Sequence, residues 1–133
     1  MIRFAVVEDN AECQRTLVSY IRDFCAGREA YECAVFDDGA DFLAAAPEVD
    51  ILFLDIVMAR TNGVEVARRV RKRDDSVVIV FVTEAVQYAL EGYSVHALDF
   101  LVKPLYYTSF CTTVQRVLDV LKKRVPNMLR IDY

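Results

Sequence analysis

The chain has 133 residues, 16 Lys+Arg against 20 Asp+Glu for a formal net charge of −4, and 55% of its residues are hydrophobic. That is the length of one ordinary domain with ample material for a core, which excludes a disordered chain, a collagen-like repeat and a disulfide-stapled miniprotein. The acidic balance argues against a chain whose whole surface binds nucleic acid.

Ile2 to Val7 is apolar apart from Arg3 and predicts a strand that ends in Glu8-Asp9. Cys13, Leu17, Tyr20, Ile21 and Phe24 then recur at helical spacing. Tyr31 to Phe36 predicts a second strand, weakened by Glu32, and Asp37-Asp38-Gly39 is turn chemistry before a helix over Phe42 to Ala46 that should end ahead of Pro47. Ile51 to Leu54 and Val77 to Val82 are continuously apolar, the pattern of strands buried on both faces of a parallel sheet. Between them Val64 to Arg73 predicts a helix. Val86, Ala89, Leu90 and Tyr93 suggest another with Gly92 near its end, Leu98 to Val102 a fifth strand, and Phe110, Cys111, Val114, Val117, Leu118 and Leu121 a last helix. Five strand-then-helix repeats imply an α/β fold, a parallel sheet with helices on both faces and right-handed crossovers.

Pro126 is expected to stop the last helix, and Met128 to Tyr133 alternates like an opening strand, so residues 1–124 are expected to form the domain and residues 125–133 a linker and the start of a further part of a longer protein. Mean hydropathy is +0.22, yet no apolar run approaches the ~20 residues of a membrane span. Acid also interrupts the N-terminal run before a signal-peptide core is complete, so a cytoplasmic location is expected. Cys13, Cys25, Cys33 and Cys111 lack metal-site spacing and read as buried reduced thiols.

Ligands of open parallel sheets gather beyond the carboxyl ends of the strands. This chain places Glu8 and Asp9 there after the first strand, Asp55 after the third, Thr83 after the fourth and Lys103 after the fifth. Three acids at close range need a compensating cation, and an oxygen-only set suits Mg²⁺. A carboxylate beside that ion can attack a phosphoryl group, with Lys103 and the Thr83 hydroxyl holding the remaining oxygens.

Glu8-Asp9, Leu54-Asp55-Ile56-Val57-Met58 with Asn62-Gly63, Phe81-Val82-Thr83 and Ala97-Leu98-Asp99-Phe100-Leu101-Val102-Lys103-Pro104 resemble the response-regulator receiver domain of two-component signalling over residues 1 to about 124. Ala85 to Gly92 together with the Ala97 to Pro104 segment is similar to receivers attached to LytTR-type DNA-binding domains. The resemblance implies a flavodoxin-like sheet of order 2-1-3-4-5 with five helices. It implies a phosphoacceptor switch, not a turnover enzyme, that takes part in its own phosphoryl transfer and slow dephosphorylation. Asp55 is then the acceptor of a phosphoryl group from a sensor histidine kinase, and Glu8, Asp9, Asp55 and the backbone carbonyl of Val57 bind Mg²⁺. Lys103 contacts the phosphate, Thr83 and Phe100 are the switch pair, and Lys103-Pro104 is a cis peptide. A homodimer through the fourth helix, fifth strand and fifth helix follows, with DNA reached only through the output domain.

Three residues depart from the family pattern. Glu8 stands where aspartate is commoner, Ala59 replaces the usual proline and predicts a less rigid acceptor loop, and Glu84 adds an acid that could repel phosphodonors or steer the hydrolytic water. Single residues keep other readings open. Asp9 with Glu12 has capping-box spacing, Asp55 alone fits a strand-end turn, Thr83 and Phe100 fit a strand core, His96 fits an ordinary turn, and the run Arg68, Arg69, Arg71, Lys72 and Arg73 fits a solvated helix face. A haloacid-dehalogenase-type phosphohydrolase would need an acid at Val57, and a nucleotide-binding doubly wound module would need a glycine-rich phosphate loop after the first strand. A receiver acting unphosphorylated as an interaction module is the remaining alternative.

Overall fold

The runs at Ile51–Leu54 and Val78–Thr83 are buried at every position because each strand has a neighbour on both sides and helices on both faces. In the computed structural model, residues 1–131 are described, with side chains except those of residues 89–90 and 125–131. The elements are β1 (Ile2–Val7), α1 (Ala11–Cys25), β2 (Tyr31–Phe36), α2 (Gly39–Ala45), β3 (Ile51–Leu54), α3 (Gly63–Arg73), β4 (Val78–Thr83), α4 (Ala89–Ser94), β5 (Asp99–Val102) and α5 (Tyr107–Ile131). All pairings are parallel and the sheet order is β2-β1-β3-β4-β5, as expected.

Alternation along each strand divides the core into two layers. Phe4, Val6, Phe53, Val80 and Leu101 pack with Leu17 and Ile21 of α1 and Phe110 and Val114 of α5. Ala5, Val7, Leu52, Leu54 and Phe81 pack with Phe42 of α2 and with Val64, Ala67 and Val70 of α3. The weak strand signal around Glu32 has a plain cause, since β2 is an edge strand with Glu32, Ala34 and Val35 exposed. No described helix is long and apolar enough to cross a membrane.

Two elements differ from the sequence reading. The fourth helix is shorter, a 3₁₀ turn at Val86–Tyr88 followed by six α-helical residues. Gly92 lowers helix propensity inside it and no side chain caps its start. Pro126 does not end the last helix, and Met128 to Ile131 are helical instead of opening a strand. Once a helix is nucleated, each added residue brings its own hydrogen bond, and the cost of a proline, its missing N–H and its ring against the carbonyl four residues back, falls on the turn before it. The expected boundary after residue 124 falls within α5, and residues 132–133 of the expected strand lie outside the described residues.

Arg71 leaves the solvated face expected for the basic run. Its half-buried guanidinium donates to the carbonyls of Val95 (2.7 Å), His96 (3.3 Å) and Val77, fastening α3 to the turn that joins α4 and β5. Burial pulls its pKa down, opposed by Asp75 and Asp74. His96 sits in that turn in the left-handed region, φ 55°. Arg71→Ala leaves these carbonyls without their donor and is expected to cost about 2 kcal/mol. Urea unfolding together with faster amide exchange at Val95 to Leu98 checks this, and unchanged exchange there would refute the fastening role.

Candidate functional site

Parallel register puts the ends of four strands on one edge, with Val7 beside Leu54, Leu54 beside Phe81 and Thr83 beside Val102. The residues that follow or end those strands therefore converge. Glu8, Asp55 and Thr83 are 1%, 4% and 1% exposed, whereas Asp9 is exposed. One carboxylate oxygen from each of Glu8, Asp9 and Asp55 lies within 4.8 Å of the other two. Asp9, Asp55, Thr83 and Lys103 line a cleft of about 420 Å³, and Val57 and Glu84 form part of its wall.

Lys103 Nζ donates to Asp55 Oδ2 at 3.1 Å and stands 2.6 Å from Glu8 Oε1. Burial opposes its charge, but Glu8 and Asp55 more than compensate and hold its pKa above the ordinary lysine value. Burial raises the pKa of Glu8, Lys103 opposes the rise and the charge of Asp55 adds to it. Glu8 Oε2 accepts from the Asn10 amide at 3.1 Å. Three clustered carboxylates against one ammonium leave surplus negative charge, and their all-oxygen donor set fits a hard divalent cation. The backbone N–H of Lys103 donates to the Thr83 carbonyl at 3.0 Å, and the Lys103-Pro104 bond is cis.

The capping reading of Asp9 does not hold. Asn10 caps α1 through Cys13 N at 2.9 Å, while Asp9 Oδ2 crosses to accept from Ala59 N at 2.8 Å. That bond braces the acceptor loop at the position expected to slacken it. The loop is held elsewhere by Gly63 N donating to the Ile56 carbonyl at 2.7 Å and by the Val57–Asn62 bridge. Asp38, read from sequence only as turn chemistry, is buried and receives Thr61 Oγ1 at 3.2 Å and Arg60 at 3.2 Å. Gln14, also missed, bridges the Glu8 carbonyl and Asp37. Asp38 also caps α2 through the Ala40 amide at 2.8 Å, in keeping with its turn sequence, whereas its bonds to Thr61 and Arg60, like that of Gln14 to Asp37, join segments distant in sequence and carry no local signal.

Thr83 Oγ1 accepts from Ala85 N at 3.0 Å. Phe100 is half-buried with its ring 5.6 Å from Phe81, two register positions from Thr83 on the same sheet face. Val57 is 59% exposed and offers no acid where a phosphohydrolase would need one. Glu84 is exposed and also lines a neighbouring cleft of about 310 Å³ with Cys13, Tyr20 and Leu105. Burial and the adjacent Glu8 push the Cys13 thiol up to about 12, so it stays protonated at neutral pH. Cys13, Cys25, Cys33 and Cys111 are all free as expected, but of the four Cys25 alone is buried and the others are half-buried.

Residues 4–115 match the response regulator receiver domain. Among curated proteins, the chain is 32% identical over 104 residues to the sensory transduction protein LytT of Bacillus subtilis, covering 78% of this chain and 43% of LytT. The chain spans less than half the length of curated relatives that it matches. Among solved structures, the response regulatory domain of mrkE from Klebsiella pneumoniae superposes with a TM-score of 0.82 at 26% identity, covering 92% of this chain and 99% of that one. TrrA of Thermotoga maritima, a response regulator crystallised with Mg²⁺-BeF, gives a TM-score of 0.75 at 25% identity over 88% of this chain and 99% of its own.

Proposed function

Because the chain belongs to the response regulator receiver domain family of two-component systems, we propose that it is a phosphorylation switch that accepts a phosphoryl group on Asp55 from a sensor histidine kinase. The observation that carries this reading is the convergence of Glu8, Asp9 and Asp55 oxygens within 4.8 Å of one another, at a cleft shared with Thr83 and Lys103. Glu8, Asp9, Asp55 and the Val57 carbonyl hold Mg²⁺, which supplies charge neutralisation for the transferring group. An Asp55 oxygen attacks phosphorus, the P–O bond forms as the donor P–N bond breaks, and the imidazole leaves with the electron pair and is protonated by solvent. Lys103 transfers its contact from Asp55 to a phosphoryl oxygen, and Thr83 turns its hydroxyl proton toward another.

Aspartyl phosphate adds about two negative charges and strong acceptor oxygens. Thr83 moving toward it frees space on the face where Phe100 packs, so Phe100 rotates inward and the surface of α4, β5 and α5 changes. Val86, Tyr93 and Val102 are exposed around that surface, 53%, 77% and 50%, which supports homodimerisation through it. Likeness to LytT supports a LytTR-type DNA-binding output domain outside the receiver fold, and DNA is contacted only there. Glu84 at the cleft rim places a negative charge in the path of anionic donors and modulates transfer and phosphoryl lifetime.

The test is intact mass after incubation with acetyl phosphate, with and without Mg²⁺, on this chain and on Asp55→Ala. A Mg²⁺-dependent phosphoryl adduct absent from the variant is the expected result. No adduct on the wild-type chain would sink the switch in favour of a phosphate-independent interaction module and make Glu84 the first residue to replace.

A further inference from the structure

The resemblance puts a proline at the position of Ala59 in most family members, and proline has no N–H to donate. Here the Ala59 amide donates to Asp9 Oδ2 at 2.8 Å across a separation of fifty residues in the chain. Asp9 is the exposed member of the carboxylate cluster, and Asn10, not Asp9, caps α1. An exposed aspartate would otherwise sample several rotamers and lose that freedom on gripping a cation. We infer that the Ala59 main-chain N–H is a positioning group for the cation site, fixing one oxygen of Asp9 and leaving the other for the ion. The inference rests on the proposed Mg²⁺ site and adds a residue to it. The same bond links Asp9 to the loop that starts at Asp55, so the geometry of the ligand and of the acceptor loop are set together.

Outer hydrogen-bond partners of metal ligands are typically worth 10- to 100-fold in affinity. Both groups here are exposed, so water competes for the bond and a smaller effect is expected. Mg²⁺ binding to the unphosphorylated full chain, measured by calorimetry, should weaken about 3- to 10-fold in Ala59→Pro and stay within about twofold in Ala59→Ser, which keeps the N–H. Amide exchange supplies a second readout that leaves Ala59 itself unchanged. The Ala59 amide should be protected in the wild-type chain, lose that protection in Asp9→Ala, and be protected further when Mg²⁺ is added. Equal Mg²⁺ affinity in all three chains, or an Ala59 amide that exchanges faster with Mg²⁺ present, overturns the positioning role alone. A wild-type chain that binds no Mg²⁺ overturns the cation site and this inference with it.

Discussion

Gly63→Ala is expected to cost about 4 kcal/mol or more, enough to lower the unfolding temperature by more than 10 °C or to prevent folding outright. A β-carbon built on Gly63 would lie 1.9 Å from the Asp55 carbonyl oxygen and 2.8 Å from Ile56 Cα. Both obstacles are backbone, so no rotamer change relieves them. The Gly63 amide also closes the loop on the Ile56 carbonyl at 2.7 Å, so relief requires moving the segment that carries Asp55. Thermal and urea unfolding check the prediction, and a variant within about 1 kcal/mol of the wild type contradicts the close approach.

Lys103→Met is expected to destabilise the chain by about 3 kcal/mol near neutral pH, because it leaves two buried carboxylates without their cation. Lys103 is 17% exposed, Glu8 1% and Asp55 5% by side chain, so solvent cannot replace the lost charge. The deficit also depends on pH in a defined direction. Glu8 has its folded pKa raised, chiefly by burial, so the folded state holds that proton more tightly than the unfolded chain. Stability tied to such a group is fully present below the unfolded pKa and is lost as pH rises through the folded value. Lys103 restrains the shift, so its removal carries the folded pKa higher. Urea midpoints at about pH 5 and about pH 8 should therefore show the variant approaching the wild type at the lower value. A deficit of equal size at both would contradict the electrostatic account.

The parallel α/β order was legible because the periodicities are strong. Unbroken apolar runs at 51–54 and 77–82 leave no solvent face, and α5 repeats its apolar residues cleanly from Phe110 to Leu121. The converging residues were legible too, since in a parallel sheet the residue after each strand lands on one edge. What could not be read depends on approach between distant segments. Arg71 looks like its charged neighbours until carbonyls from two turns are seen around its guanidinium. The Ala59 amide has no side chain to announce it, and Asn10 takes the capping role that the spacing of Asp9 and Glu12 suggested. Pro126 misled in the other direction, as a local breaker within an already propagating helix.

The Arg71 contacts also fix where α4 can and cannot swing. Its far end, at Val95 and His96, is pinned to α3, while its near end follows the Thr83–Ala85 turn at the cleft. The segment is thus a lever with its fulcrum at the end remote from the acceptor. A small displacement beginning at Thr83 is spent as rotation about that fulcrum, largest at residues 84–88 and vanishing at 95–96.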